Sequence, residues 1–477
     1  MFDNIEKIEE NPVLNLIKPY LRNKEAYIIG GYIRDILMNK QSPDLDLVIC
    51  IDDVKEFALR LSEKISAHFI ELDGENNIYR LVLKDKVNYI DITKPIESDI
   101  TKDILRRDLT INAIAYDIRE KMLIDLTGGV NDIKNGIIKG IAEKNFEDDP
   151  LRLLRIFRFA AKTGFEIDES LIELTKKTAS AVHKSAAERI NTELIKMFES
   201  AYTDKALLKM DEAGLLTEIL TVFNDVKKIP PNSHHHLDLF HHSIETVRQI
   251  HLYYESAEDR IKNYLDACFF GSVKRLAYLK CAGFLHDIGK PACWTIEEET
   301  GRHRFIKHDE IGANLAVHVL KELKFSKKQT DYISMLIRNH IYPSSMVCAP
   351  DVNEKAYMRF YRKSEGYVID VIILAMADRL SARGEKITQE MVYNNINALT
   401  GLLENYLKIQ DTIKPLPKLL DGCDIMEILN IKPSKELGLI VDALKEAQMS
   451  GAVNNKAEAQ AFVKRFKDEE LSKCSGK

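Results

Sequence analysis

The segment Tyr27–Val48, YIIGGYIRDILMNKQSPDLDLV, decides how the N-terminal part of this chain folds. Tyr27, Ile28 and Ile29 form an apolar run that reads as a buried strand. Gly30-Gly31 then permits a tight turn in which backbone N–H groups approach a ligand closely. From Tyr32 to Met38 the apolar side chains fall at helical spacing, and Asn39–Pro43 supplies the residues that end the helix. Asp44-Leu45-Asp46-Leu47-Val48 follows as a second strand. With a side-chain period of two, Asp44 and Asp46 share one face about 7 Å apart. Two such carboxylates repel unless a cation sits between them. Mg²⁺, a hard ion that takes oxygen ligands and bridges to phosphates, suits that place. A glycine turn beside a carboxylate pair meets the needs of nucleotidyl transfer: donors for a triphosphate, and metal for the attacking and leaving oxygens.

An isolated Asp-x-Asp is common and says little. Gly30-Gly31, then Arg34-Asp35, then Asp44-x-Asp46 is far more specific. This pattern resembles the nucleotidyltransferase superfamily that includes DNA polymerase β, in the branch of bacterial CCA-adding enzymes and poly(A) polymerases. The resemblance implies an α+β chain: a polymerase-β-like head with a mixed sheet and helices, then an all-helical neck, HD domain and tail.

Composition agrees with such a chain. At 477 residues there is length for several domains, and 30% charged residues with a net charge of −6 mark a soluble protein that does not advertise nucleic-acid binding. No run of eighteen apolar residues occurs and Met1-Phe2-Asp3-Asn4 is no signal peptide, so the expectation is a cytoplasmic protein without membrane partners. The seven cysteines include no CxxC pair and read as reduced thiols.

Residues 1–140 are expected to form the head. Val54–Ser66 reads as an amphipathic helix, with strands at Ala67–Leu72, Tyr79–Leu83 and Val87–Thr93. Asp91 on the last of these is a candidate third carboxylate. In the segment Asp103–Ala113, Arg106-Arg107-Asp108-Leu109-Thr110-Ile111-Asn112-Ala113 resembles the second signature of CCA-adding enzymes. Arg106 and Arg107 offer guanidinium forks for phosphates. Asp108 and Asn112, spaced i, i+4, hold a ribose together if the segment is helical. Ile124–Gly129 reads as a strand and turn.

Residues 141–230 are expected to form the neck. In Asp148-Asp149-Pro150-Leu151-Arg152, Pro150 fits a first helical turn with Asp149 as N-cap. An Asp carboxylate accepts from an exocyclic amine and an Arg donates to ring acceptors. The pair Asp149–Arg152 therefore matches the edges of C and A and rejects U and G. This resembles the family's EDxxR motif, which selects CTP and then ATP without a nucleic-acid template. The outer acid here is Asp148, or Glu147 one residue earlier. Arg155 and Arg158 on later turns are candidates for the triphosphate or RNA, and Ala186–Glu199 resembles the family's neck helix. Only twelve residues, Lys94 to Leu105, separate the last strand from Arg106. Family members that build the whole CCA carry a longer loop there, so a CC-adding enzyme with a separate A-adding partner is one expected subtype.

Residues 231–390 carry a second constellation: His242 just inside a helix, His286-Asp287 in FLHDIGK, His308, His340, and Asp378 in AMADR. Imidazole and carboxylate in this mix suit a divalent metal. The order resembles the HD phosphohydrolase superfamily, with His242, His286, Asp287 and Asp378 as expected ligands and His308 and His340 as further candidates. His234, His235, His236 and His241 are expected at the surface or behind the ligands. Residues 391–477 read as a helical, tRNA-anchoring tail, with a linker at Pro415–Leu420 and turns at Gly422–Met426 and Ile431–Gly438.

Together the resemblance implies a tRNA nucleotidyltransferase that builds or repairs the 3′ CCA, or CC alone. It would use CTP, ATP and Mg²⁺ in the head and a divalent metal in the HD domain, with an additional HD phosphohydrolase activity. Its catalytic residues would be Asp44, Asp46 and Asp91. Gly30, Gly31, Arg34, Arg107, Asp108, Asn112, Asp149, Arg152, Arg155 and Arg158 would bind nucleotide. The alternatives are a poly(A) polymerase, and an RNA-binding HD phosphohydrolase with a silent head.

Overall fold

The computed structural model describes residues 2–233, 236–349, 354–412, 419–431, 435–449 and 452–474. The chain falls into two compact units, residues 1–400 and 401–477.

The first unit opens on short helices, Phe2–Glu9 and Pro12–Ile17, and then a seven-stranded sheet. Its strands are β1 (Ala26–Ile29), β2 (Asp44–Ile49), β3 (His68–Asp73), β4 (Ile78–Val82), β5 (Tyr89–Thr93), β6 (Ile114–Asp117) and β7 (Met122–Asp125), in the order β3-β4-β5-β2-β1-β6-β7. Pairing is antiparallel except between β2 and β5, so the sheet is mixed.

Alternation assigns the two faces. Leu45, Leu47, Ile49, Ile90 and Ile92 enter one apolar cluster with the helices Gly31–Leu37 and Val54–Ile65. The intervening residues of β2 and β5 therefore look the other way, where Val48 joins Tyr27, Ile29, Ile100 and Ile104 in a second cluster. Asp44, Asp46 and Asp91 stand on this second face. Parallel pairing of β2 and β5 sets Asp46 directly beside Asp91 and Asp44 beside Tyr89.

Two readings are corrected, one in the head and one in the neck. The segment Arg106–Asn112 is not a helix carrying Asp108 and Asn112 one turn apart. Leu109 is extended, bridging Gly140, and the Thr110 N–H donates to the Lys139 carbonyl; only Thr110–Asn112 then winds as a 3₁₀ turn. Asp149 is not a side-chain cap either. It is extended at φ −139°, Pro150 precedes the helix Leu151–Thr163, and the Asp149 carboxylate is engaged elsewhere.

From Glu143 to Ser381 the unit is mainly helical, with short strand pairs between. The neck helices Leu151–Thr163 and Ala187–Phe198 pack on each other, and the latter packs on Arg275–Leu285 of the next region. The second unit has its own core of Leu420, Ile425, Ile440, Leu444 and Val463. Here a further expectation is corrected: Gly422–Met426 lies inside the helix Gly422–Leu429. Asp421 and Asp424 form a capping box that starts that helix at once. The expected turn at Ile431–Gly438 is corrected too, since residues 435–438 begin the helix Lys435–Met449; residues 415–418 and 432–434 lie outside the described residues, as do His234 and His235. No helix among the described residues is long and apolar enough to cross a membrane.

Candidate active site and metal centre

Gly30 caps the helix Gly31–Leu37 with φ +81°, a conformation that side chains disfavour. A Cβ there would also stand 2.9 Å from Arg107 Nη1 and 3.3 Å from Asp46 Oδ2. The glycine turn, the carboxylate strand and the arginine segment thus meet at one point. Burial raises the Asp46 carboxyl to about 6, with Asp91 and Asp44 adding to the rise; Arg107 and the Gly31 N–H oppose it. Asp44 Oδ1 is buried without a hydrogen-bond partner. Asp91 is gripped by Arg80, directly opposite on β4, through two 2.7 Å bonds from Nε and Nη2. The Arg80 guanidinium in turn stacks 3.9 Å over the Tyr89 ring. Crowded oxygens and an orphaned carboxylate atom are the donor set for a hard divalent cation, so the residues fit Mg²⁺.

Arg34 lies beside the glycine turn, its Nη2 3.6 Å from where a Cβ on Gly31 would stand. It is only 3% exposed, donates from Nε and Nη2 to Asp35, and from Nη1 to Asn112 Oδ1 at 2.6 Å. Lys162 of the neck reaches the same Asp35 at 3.1 Å. Arg106 and Arg107 share Asp103, while Arg107 Nη1 sits over Gly30.

Asp108 joins head to neck. Its Oδ2 accepts from Arg155 Nε at 2.5 Å and its Oδ1 from the Leu109 N–H at 2.9 Å. Burial would raise this carboxyl, yet Arg155 holds it below the ordinary range. A cavity of about 700 Å³ opens between Arg107 and Asp108 on one side and Asp149, Arg152 and Arg155 on the other. The base-edge candidates are both anchored. Arg152 Nη1 donates to the carbonyls of Arg106 (2.8 Å) and Asn145 (2.9 Å), and Asp149 accepts two bonds from Arg189, at 3.2 and 2.8 Å. Glu193, buried on the same neck helix as Arg189, pairs with Arg158 and lies 3.9 Å from Arg155. Glu147 and Asp148 are exposed.

Sequence reasoning passed over Arg80, Arg189 and Glu193. A glutamate on the apolar stripe of Ala187–Phe198 was the available signal for the last. Arg80 and Arg189 left no local trace, because their partners lie on other elements.

The second constellation gathers at helix ends. His242 comes from Leu239–Ser256, His286 and Asp287 follow Arg275–Leu285, His308 begins His308–Glu322, His340 follows Lys327–Asn339, and Asp378 lies in Val368–Ser381. His242 Nε2 is 3.1 Å from Asp378 Oδ1 and 3.4 Å from Asp287 Oδ2. His286 Nε2 is 3.1 Å, His308 Nε2 3.2 Å and His340 Nε2 3.8 Å from Asp287. The Nδ1 atoms of His286, His308 and His340 face the carbonyls of Gly283, Phe305 and Ile337 at 2.6–2.8 Å. A carbonyl only accepts, so each Nδ1 carries the proton and each Nε2 is left for the centre. Gly289 lets the HisAsp loop pass the next helix: a Cβ there would meet His308 O at 2.2 Å.

Burial would depress His286, but Asp287 and Asp378 push it up to about 10; burial and the neighbouring His286 drive His340 down to about 4. Buried Asp287 and half-buried Asp378 thus demand positive charge among them. A proton or a divalent ion meets that demand, and the N/O donor set fits the ion. Three overlapping groups drawn from these six residues have ligand atoms within 4.8 Å of one another. His241 is exposed and bonded to Asp238, and His236 is exposed.

Three family models match in succession: the poly A polymerase head domain over residues 26–139, the probable RNA and SrmB-binding site of polymerase A over 164–226, and the HD domain over 239–383. The chain is 29% identical over 465 residues to the CC-adding tRNA nucleotidyltransferase of Thermus thermophilus, covering 96% of this chain and 97% of that one. To the A-adding tRNA nucleotidyltransferase of Deinococcus radiodurans it is 28% identical, over 93% of this chain and 96% of the relative. Among solved structures, the Thermotoga maritima CCA-adding enzyme complexed with tRNA matches with a TM-score of 0.56 over 97% of this chain and 98% of that one. At 20% identity that likeness speaks for the fold.

Proposed function

We propose that the chain is a bacterial class II tRNA nucleotidyltransferase with a fused HD domain, which adds nucleotides to the 3′ end of tRNA from CTP and ATP. The observation that carries this reading is the convergence of Gly30, Asp46, Asp91 and Arg107 at one point, with Arg107 also lining the cavity that holds Asp149 and Arg152. Mg²⁺ held by Asp44 and Asp46, with Asp91 beside them, would polarise the α-phosphate and ease loss of the proton from the RNA 3′-hydroxyl.

The protein's own groups do the rest. Gly30 and Gly31 keep the backbone open for the triphosphate, and Arg107 offsets its charge. Arg34 acts from behind, fixing Asn112 and, through Asp35, the neck; Arg155 sets Asp108 for the sugar. Asp149 presents an acceptor and Arg152 a donor to the base edge, each held in place by the contacts already made. Arg189 pre-orients Asp149, and Arg158 with Glu193 stiffens the helix beneath. Head (1–140), neck (141–230), HD domain (231–390) and tRNA-anchoring tail (391–477) then divide the work, in the cytoplasm where tRNA matures.

The short Lys94–Leu105 connection favours a CC-adding enzyme over a full CCA-adding one. The test offers tRNA transcripts ending at the discriminator base with CTP, ATP or both, resolved at single nucleotides. Growth by two C residues supports the CC-adding form. Growth by C, C and A identifies the full enzyme. Long A tracts would favour a poly(A) polymerase, and no growth a silent head. A second reading rests on the six converging His and Asp residues: the HD centre holds a divalent metal and hydrolyses a phosphoester.

A further inference from the structure

Arg80 stands in the middle of β4, between Tyr79 and Leu81, which both enter the apolar cluster on one face of the sheet. Alternation sends Arg80 to the other face, where Asp44, Asp46 and Asp91 stand. Ile78, two residues earlier on the same strand, lines the cavity between head and neck. Arg80 and Asp91 are both half-buried, and their contact is not that of two loose surface charges. Nε and Nη2 donate to different oxygens of Asp91, each at 2.7 Å, while the guanidinium lies 3.9 Å over the Tyr89 ring. A fork bonded at both tines and stacked on a ring has little freedom left. Tyr89 is set beside Asp44 by the strand register, and burial together with that carboxylate pushes its hydroxyl up. The two acids that crowd Asp46 thus both meet the Arg80–Tyr89 unit.

Each carboxylate oxygen offers two lone pairs. Arg80 takes one on either oxygen of Asp91 and leaves the other for a second partner, with Asp46 directly alongside. The same guanidinium charge opposes any cation that comes to those oxygens. We propose that Arg80 is a positioning residue of the head: braced on Tyr89, it fixes the Asp91 carboxylate beside Asp46 for the metal and gives up metal affinity for that fixed geometry. Partners behind a ligating carboxylate set its orientation, and a preset orientation counts most when charge develops in the transition state. The proposal deepens the nucleotidyl-transfer reading and rests on it, but one of its readouts is metal binding alone. A staple between strands with no further role would, on removal, weaken binding and incorporation together.

Mn²⁺ binding is read by electron paramagnetic resonance on full-length protein carrying His286→Ala and Asp287→Ala, which takes ligands away from the second centre. CTP incorporation into a tRNA transcript at saturating Mg²⁺ is read in single turnover on the otherwise unaltered chain. Arg80→Ala should tighten Mn²⁺ binding by about fivefold, because one positive charge leaves the cluster. It should also slow incorporation by roughly ten- to hundredfold, because hydrogen bonds between charged groups are lost. Arg80→Lys keeps the charge without the fork. It should bind Mn²⁺ within about twofold of the parent and still slow incorporation by about tenfold. Far-UV circular dichroism of both variants should match the parent, and if the alanine variant unfolds the lysine variant decides. Weaker Mn²⁺ binding by Arg80→Ala, or incorporation by Arg80→Lys at the parent's rate, would each overturn the proposal. A parent that incorporates no nucleotide, with the Mn²⁺ affinities ordered as expected, would contradict the transferase reading alone.

Discussion

At Asp46 burial and two neighbouring carboxylates act against the charge, and the Arg107 side chain supports it. Such a site gains most from a cation, and loses most when a ligand is removed. Asp44→Asn and Asp46→Asn should each lower nucleotide incorporation by about a thousandfold, corresponding to about 4 kcal/mol of transition-state stabilisation. The check is single-turnover incorporation of CTP, with the substitutions leaving thermal unfolding nearly unchanged because both side chains are near-isosteric. Asp44 and Asp46 were legible because a period of two needs no knowledge of the rest of the fold. Asp91 could be nominated by the same alternation, but its place beside Asp46 depends on which strands pair, and that is a tertiary fact. Arg80 and Arg189 were hidden for the same reason: each clasps an acid on another element, and nothing in the local pattern says so.

Elements were legible where periodicity and turn residues agreed, as in Gly31–Leu37, β2 and Val54–Ile65. They were misread where a tertiary bond outcompeted local preference. Asp149 looked like an N-cap, but Arg189 takes its carboxylate. Asp108 and Asn112 looked like helical neighbours, but Leu109 and Thr110 pair with the 139–140 segment instead.

Helix Arg275–Leu285 packs on the neck and buries Lys280 completely; its Nζ donates to the Ser200 carbonyl at 2.7 Å, and burial lowers its ammonium to about 8. Its folded-state affinity for a proton is below that of the unfolded chain. Between about pH 8 and 10.5 the unfolded state therefore binds more protons, and this residue's contribution to stability rises with pH. Relative to Lys280→Met, the parent should gain on the order of 3 kcal/mol across that window. Parallel denaturant titrations at pH 7.5 and pH 10 measure it, and a constant difference between the two proteins would contradict the buried-ammonium account.

At the scale of the molecule, two centres of different chemistry share the first unit: an oxygen-lined one in the sheet and a mixed N/O one among helix ends. The order of the six HD residues was legible over a span of more than a hundred positions, because helix-end placement and the HisAsp dipeptide survive in sequence. Their mutual distances were not, since these follow from how five helices pack. Separate construction predicts separate failure. His286→Ala with Asp287→Ala should abolish metal bound to the HD centre, read by elemental analysis after dialysis, while CTP incorporation changes by less than about twofold, as expected for distant, uncoupled sites.

The central claim is that the cavity between head and neck, and no nucleic-acid template, chooses the base. Its most direct test measures incorporation of all four nucleoside triphosphates on one tRNA transcript by the parent, Asp149→Ala and Arg152→Ala. The parent should take its cognate C or A and refuse U and G, and each variant should narrow that preference by at least tenfold, since one hydrogen bond to a charged group is lost. Variants that slow incorporation while keeping the parent's selectivity would contradict the claim.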